Sequence, residues 1–201
     1  MGDFSEDFRP VPVVLEGRLV DLKPLAAEHT QALSEIGLDP ELWRWTTNRV
    51  HNFREMKAYV KQALTAQTEG HMLPFVTVLK SGGQVVGCTR FGNIVPAHRR
   101  AEIGWTWVGK PWQRSGVNTE AKFLMLSHAF EVWQCIRVEL KTDFLNQKSR
   151  TAILRLGARE EGVLRQHMVA PDGRLRDTVY YSILDREWPA VKAALLAKMG
   201  R

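Results

Sequence analysis

Cysteine is scarce in this chain: two residues in 201, Cys88 and Cys135. Their number and spacing support neither a disulfide framework nor a thiolate metal site, and both read as small core residues in a reducing cytoplasm. No run of about 18 apolar residues occurs, which excludes a helical membrane span. The opening Met1-Gly2-Asp3-Phe4-Ser5-Glu6-Asp7 is acidic and lacks an apolar stretch, which argues against a secretory signal. There is no Gly-Lys-Ser/Thr phosphate loop, no set of zinc ligands and no Ser-His-Asp order. Nucleoside triphosphatase, metalloenzyme and serine hydrolase chemistry are therefore not expected, and no metal is called for. Dense basic tracts are missing too. Outside His98-Arg99-Arg100 the charges behind the net +6 are scattered, and neither a recognition helix nor an aromatic RNA motif appears, so nucleic acid is not the expected partner. The surplus positive charge still suits an anionic small ligand.

What is present reads as alternating strands and helices without repeats, low-complexity tracts or linkers, hence one α/β domain over residues 1–201 with a loose leader over 1–12. Strands are expected at 19–24, 73–79, 84–94, 135–140, 163–169 and 177–184, with helices at 27–37, 40–67, 146–156 and 188–198. Lys80-Ser81-Gly82-Gly83 and Pro171-Asp172-Gly173 read as hairpin turns. Gly157 suits a left-handed helix end, and Pro189 is tolerated in a first helical turn.

The densest information lies between 101 and 118. Ala101-Glu102-Ile103-Gly104-Trp105-Thr106-Trp107-Val108 alternates with period two, placing Ile103, Trp105 and Trp107 on one face and Glu102 on the other. After Pro111-Trp112-Gln113-Arg114-Ser115-Gly116-Val117-Asn118 the period changes, and Val117, Ala121, Leu124, Met125 and Val132 fall on one side of a helix. Between them a basic, glycine-bearing turn leaves the first helical amides without intrahelical partners, where phosphate is attracted by free donors and the positive dipole end.

This turn resembles the pyrophosphate loop of the GNAT superfamily of N-acetyltransferases, Gln/Arg-x-x-Gly-x-Gly/Ala, with Gln113 and Gly116 matching and Asn118 replacing the last small residue. Asn146-Gln147-Lys148-Ser149-Arg150-Thr151-Ala152-Ile153-Leu154-Arg155-Leu156-Gly157 resembles that superfamily's Asn-initiated helix, which follows the next strand. With the Glu-Ile-Gly-Trp strand and the late Asp-Gly hairpin, the likeness runs from Leu15-Glu16-Gly17-Arg18 to Trp188 and is nearest to RimJ/RimL-type protein acetyltransferases.

The resemblance implies a three-layer α/β fold. Its central, largely antiparallel sheet is splayed at two parallel strands, 101–108 and 135–141, and flanked by helices. It implies acetyl-CoA as cosubstrate and a primary amine, of a protein N-terminus or of a small molecule, as acceptor; a homodimer is compatible with it. Backbone at Trp107 and Val108 is expected to pair with the pantetheine amides. Gln113, Arg114, Ser115, Gly116, Val117 and Asn118 are expected to seat the pyrophosphate. Asn146 either binds the pantetheine arm or simply caps its helix. The tyrosine that serves many members as acid for the leaving thiolate is replaced by Ile153, which leaves Ser149 as the substitute or as an ordinary first-turn serine. Glu102 is the first candidate base, ordering a water near the amine, unless it pairs with Arg99, Arg100 or Arg137. His51 and Glu55 are weaker candidates, and Trp43, Trp45 and Phe53 either wall an acceptor cleft or belong to the core. The missing tyrosine and second loop glycine keep an alternative open: a CoA-binding or basic ribosome-associated module that keeps the fold without catalysis.

Overall fold

The apolar alternation around Phe75, Val86 and Phe91 builds a sheet that needs cover on both faces, and helices supply it. The computed structural model describes Phe8 and residues 10–200, so most of the expected leader lies outside the described residues. Phe8 itself is buried, its ring centroid 5.0 Å from that of Trp133.

In chain order the elements are β1 (Leu15–Glu16), β2 (Val20–Pro24), α1 (Thr30–Gly37), α2 (Phe53–Thr68), β3 (Met72–Leu79), β4 (Val85–Val95), β5 (Arg100–Val108) and α3 (Val117–Ser127). Then follow β6 (Arg137–Asp143), α4 (Gln147–Leu156), β7 (Arg159–Val169), β8 (Leu175–Leu184) and α5 (Trp188–Lys198). The strands form one sheet in the order β1-β2-β3-β4-β5-β6-β8-β7. Every neighbouring pair is antiparallel except β5 and β6. One face is packed by α3, α4 and α5 through Val117, Met125, Ile153 and Leu195. The other is covered over β3–β5 by α1 and α2 through Leu33, Met56, Tyr59 and Val60.

Two expectations are corrected. Residues 40–67 are not one helix: a short 3-10 turn at Pro40–Leu42 is followed by irregular chain, and α2 starts only at Phe53. The reason is the cap. Asn52 accepts a hydrogen bond from the Glu55 amide, and the Glu55 carboxylate takes the His51 amide in return, a reciprocal arrangement that fixes the start. In α3 the apolar stripe ends earlier than expected, because the helix gives way to a π-turn at His128–Val132 that leaves Val132 exposed.

A buried carboxylate fixes the start of the sheet against α3. Glu120 accepts the backbone amides of Arg18, Leu19 and Val20 at 3.1, 2.6 and 2.8 Å. Losing such an acceptor leaves buried donors unsatisfied, so Glu120→Ala is expected to destabilise the fold by on the order of 3 kcal/mol. Urea unfolding of both forms checks this, and equal midpoints would contradict it.

Candidate active site

The site begins where the two parallel strands part. They pair only at Arg100↔Arg137, Ala101↔Val138 and Glu102↔Glu139. Beyond Glu102, β5 stays with β4 while β6 follows β8, and a crevice opens between them. A bulge marks the divergence. Arg90 faces Gly104 and Cys88 faces Trp107, so Trp105 and Thr106 together oppose Thr89. Trp105 takes φ +50°, a left-handed conformation that a bulky residue adopts only under constraint.

The bulge overturns the expected facing of this strand. Ile103 packs in the α3 core, but Trp107 packs in the α1–α2 core on Trp43 and Tyr59. Thr106 now points to α3, where its hydroxyl meets those of Thr89 and the Lys122 side chain. Strict alternation cannot survive an inserted residue, because each extra residue exchanges the faces.

Glu102 sits at the fork, 2% exposed. Its Oε2 accepts from Asn93 Nδ2 at 2.5 Å and from Lys141 Nζ at 2.9 Å, so its ionic partner is a lysine of β6 and not Arg99, Arg100 or Arg137. Arg100 and Arg137 pair with Glu139, and Arg99 donates to the Gln134 carbonyl. A second bulge aims Asn93 at Glu102: Asn93 has φ +45° where β4 slips register between Gly92 and Val95. A Cβ at Gly104 would lie 3.0 Å from Glu102 Oε1, so a larger residue would press on that carboxylate. That oxygen takes no hydrogen bond among the described residues.

Beside this pair, Asp143 is fully buried and accepts from Arg174 at 2.5 Å, with Arg176 Nε 3.9 Å away. Arg174 also lies over the Trp45 ring, and Arg49 meets Asp172 at 3.6 Å. The β7–β8 turn is thereby tied to the 43–52 chain across the cleft. Trp43 belongs to the core and Phe53 to the surface, which leaves Trp45 as the aromatic of that region facing the cleft. The Glu55 carboxylate is engaged at the α2 cap, where His51 contributes only its backbone amide and its side chain is exposed.

At the other end of β5 the chain turns into α3. Gln113, Arg114, Ser115 and Gly116 are exposed. The amides of Arg114, Ser115, Gly116, Asn118 and Thr119 find no acceptor among the described residues, while the Val117 amide leans on Ser115 Oγ at 3.3 Å. The left-handed residue of the turn is Arg114, φ +60°; Gly116 has φ −70°, open to any residue. Gln113 Nε2 holds the Val108 carbonyl at 2.9 Å, so that carbonyl is already occupied. Asn118 Oδ1 is buried with no partner among the described residues and, as an acceptor, cannot itself bind phosphate; the donors of this residue are its backbone amide and Nδ2. Arg155 of α4 reaches the same helix start, donating to Thr119 Oγ1 at 3.2 Å.

Across the crevice, Asn146 Oδ1 caps α4 by accepting the Ser149 amide at 3.1 Å, which leaves its amide group free to donate. Ser149 is half-buried, and its hydroxyl bonds nothing among the described residues. No described group of His, Cys, Asp and Glu residues is arranged to hold a metal ion, and no described helix is long and apolar enough to cross a membrane.

A forked parallel pair with an open helix start beside it is a distinctive arrangement, and comparison with known proteins identifies it. The sequence profile of the acetyltransferase (GNAT) domain matches residues 19–159. The chain belongs to the GNAT acetyltransferase family. Among solved GNAT structures, a GCN5-related N-acetyltransferase from Brucella melitensis is 34% identical, with a TM-score of 0.87 over 94% of this chain and 86% of that one. Mycobacterium smegmatis RimJ, solved with CoA-disulfide, is 30% identical, with a TM-score of 0.77 over 94% of this chain and 93% of that one. YdaF of Bacillus subtilis (strain 168), provisionally named a ribosomal N-acetyltransferase, is 36% identical over 110 residues, 55% of this chain and 59% of YdaF. The chain thus spans little more than half the length of the curated relatives it matches.

The sequence alone did not point to Lys141, Asn93, Asp143, Arg174, Arg176 or Lys122. One signal was available: Glu139, Lys141 and Asp143 alternate with Leu140 and Thr142, which puts a row of charges on one face of an inner strand.

Proposed function

We propose that this chain is an acetyl-CoA-dependent N-acetyltransferase, one acyl-CoA N-acyltransferase domain that moves an acetyl group directly onto a primary amine, with a protein N-terminus as the acceptor. The observation that carries this reading is the fork. Free amides of α3 lie at one end of the crevice, Asn146 and Ser149 beside it on the α3–α4 face, and Glu102 on the opposite face. Acetyl-CoA enters as a substrate, its phosphates on the 114–119 amides with Arg114 and Arg155 adding charge. Asn146 donates to the pantetheine arm, Ser149 holds the sulfur, and backbone amides of β5 near the Trp105 bulge receive the carbonyl oxygen. The amine approaches from the Glu102 side, where Oε1 orders the water that takes its proton. Support for the acceptor comes from the names of YdaF and RimJ.

Direct transfer suits the cysteines. Burial pushes the Cys135 thiol up to about 12 and raises Cys88 as well, so neither offers a thiolate to carry the acetyl group. Incubation with acetyl-CoA and a peptide bearing a free N-terminus is expected to acetylate the peptide and leave the protein unmodified, also in Cys88→Ser and Cys135→Ser. Acetyl-protein accumulating when peptide is omitted would restore an acyl-enzyme route. No acetylation of any amine, together with steeply salt-dependent RNA binding, would favour the non-catalytic module.

A further inference from the structure

Buried carboxylates in this chain come with donors, and the buried Arg90 guanidinium lies over the Tyr59 ring at 4.3 Å. Glu102 has Lys141, Asp143 has Arg174, and Glu120 has three backbone amides. Lys122 departs from this pattern. It is 5% exposed on α3, and its Nζ lies 3.0 Å from Thr89 Oγ1 and against Thr106 Oγ1. The two hydroxyls are 2.7 Å apart, and Thr89 also reaches Met125 Sδ at 3.4 Å. From β4 the ionisable group acting on Lys122 is the Cys88 thiol; β5 presents Thr106 and α3 presents Met125. Glu120 is engaged with residues 18–20, and Arg155 of α4 donates to Thr119. No carboxylate pairs with Lys122 among the described residues.

Donor arithmetic follows from that enclosure. An ammonium carries three protons, and here it meets two hydroxyl oxygens. A neutral amine would donate to one hydroxyl and accept from the other, so the cluster accommodates both protonation states. Burial without a counter-charge pushes Lys122 down to about 7, so it gains or loses its proton near neutrality.

Position gives this exchange a use. Thr106 lies past the fork, on the face covered by α3 and α4. Extending the Glu102↔Glu139 register, less the one inserted residue, places it level with Thr142, just before Asn146 and Ser149. Glu102 is on the opposite side. Ile153, where a tyrosine is common in the family, is buried in the core, and the Ser149 hydroxyl has no hydrogen-bond partner among the described residues. Thr106 has Lys122.

We propose that Thr106 delivers the proton to the departing CoA sulfur and that Lys122 stores it behind Thr106. This rests on the acetyl-transfer reading above. As the amine nitrogen bonds to the carbonyl carbon, the C–S bond breaks and its electron pair passes to sulfur. Sulfur takes the Thr106 hydroxyl proton, and the threonine oxygen takes one from Lys122, leaving a neutral amine. The ammonium acceptor loses two protons to water on the Glu102 side; one returns through Thr106 to Lys122 after product leaves, and one is released. Lys122 is thus a positioning residue that acts through Thr106.

The test is the pH dependence of kcat for the full chain with acetyl-CoA and a peptide amine. Wild type is expected to lose kcat on the alkaline side as Lys122 deprotonates. Lys122→Met and Thr106→Val should lower kcat by on the order of tenfold or more and lose that alkaline limb, with the acetyl-CoA KM little changed. Thr106→Ser, which keeps the hydroxyl, should retain the limb. A packing role alone would lower the melting temperature and leave the shape of the profile intact. If Lys122→Met fails to fold, the Thr106→Val and Thr106→Ser pair decides. An unchanged limb in folded Thr106→Val overturns the relay while acetyl transfer stands; a wild type that neither binds acetyl-CoA nor transfers acetyl overturns the underlying reading.

Discussion

Gly116→Asp removes most of the stabilisation that acetyl-CoA confers, while the ligand-free protein melts no lower than wild type. Ligand at 100 times its dissociation constant adds about 2.7 kcal/mol to a folded protein. The substitution is sterically mild, since Gly116 has φ −70° and a Cβ would meet only Leu19 Cδ2 at 3.1 Å. Aspartate at this helix start can also take the free amides of Asn118 or Thr119, a capping gain over glycine of roughly a few tenths of a kcal/mol. Those are the donors proposed for phosphate, and the aspartate adds negative charge where phosphate must sit. Higher intrinsic stability with a lost ligand shift is a pair of opposite signs that a folding defect cannot produce. Thermal melts with and without acetyl-CoA measure both; an undiminished ligand shift would place the phosphates elsewhere.

Glu102→Gln is expected to cut kcat by about 10²–10⁴-fold at neutral pH, the usual contribution of a general base. Raising the pH should narrow the deficit relative to wild type at the same pH, because more of the acceptor amine is then already neutral. The neutral side chain also leaves the Lys141 ammonium, 20% exposed, without its partner, so a modest loss of stability accompanies the loss of rate. A variant with lower melting temperature and wild-type kcat would confine Glu102 to the Lys141–Asn93 cluster.

Much of this arrangement was legible in the sequence wherever one residue type has one local use. Asn146 and Gly157 mark helix ends because a short polar side chain or a left-handed backbone is needed there, and each falls where expected. The helix after Gly116 follows from a change of period, and the parallel pair from the family resemblance. The bulges do not. Trp105 and Asn93 carry no local signal for a left-handed backbone, since asparagine has many uses and tryptophan ordinarily avoids that region. One inserted residue moved Trp107 across the sheet and turned Thr106 toward Lys122. Glu102 was visible as a charge on a strand, but its partner Lys141 depends on a register that only the assembled sheet defines. Likewise, the spacing of the loop pattern drew attention to Gly116, whereas the unusual backbone belongs to Arg114.

The most direct measurement of the central claim is a titration of the ¹⁵N-labelled chain with CoA, followed by amide resonances. Binding at the fork predicts that the amides of Arg114, Ser115, Gly116, Asn118 and Thr119 shift most, together with the Asn146 side-chain amide and backbone along 105–108. Shifts confined to the basic surface around His98, Arg99 and Arg100, or an unperturbed spectrum at saturating CoA, would contradict it.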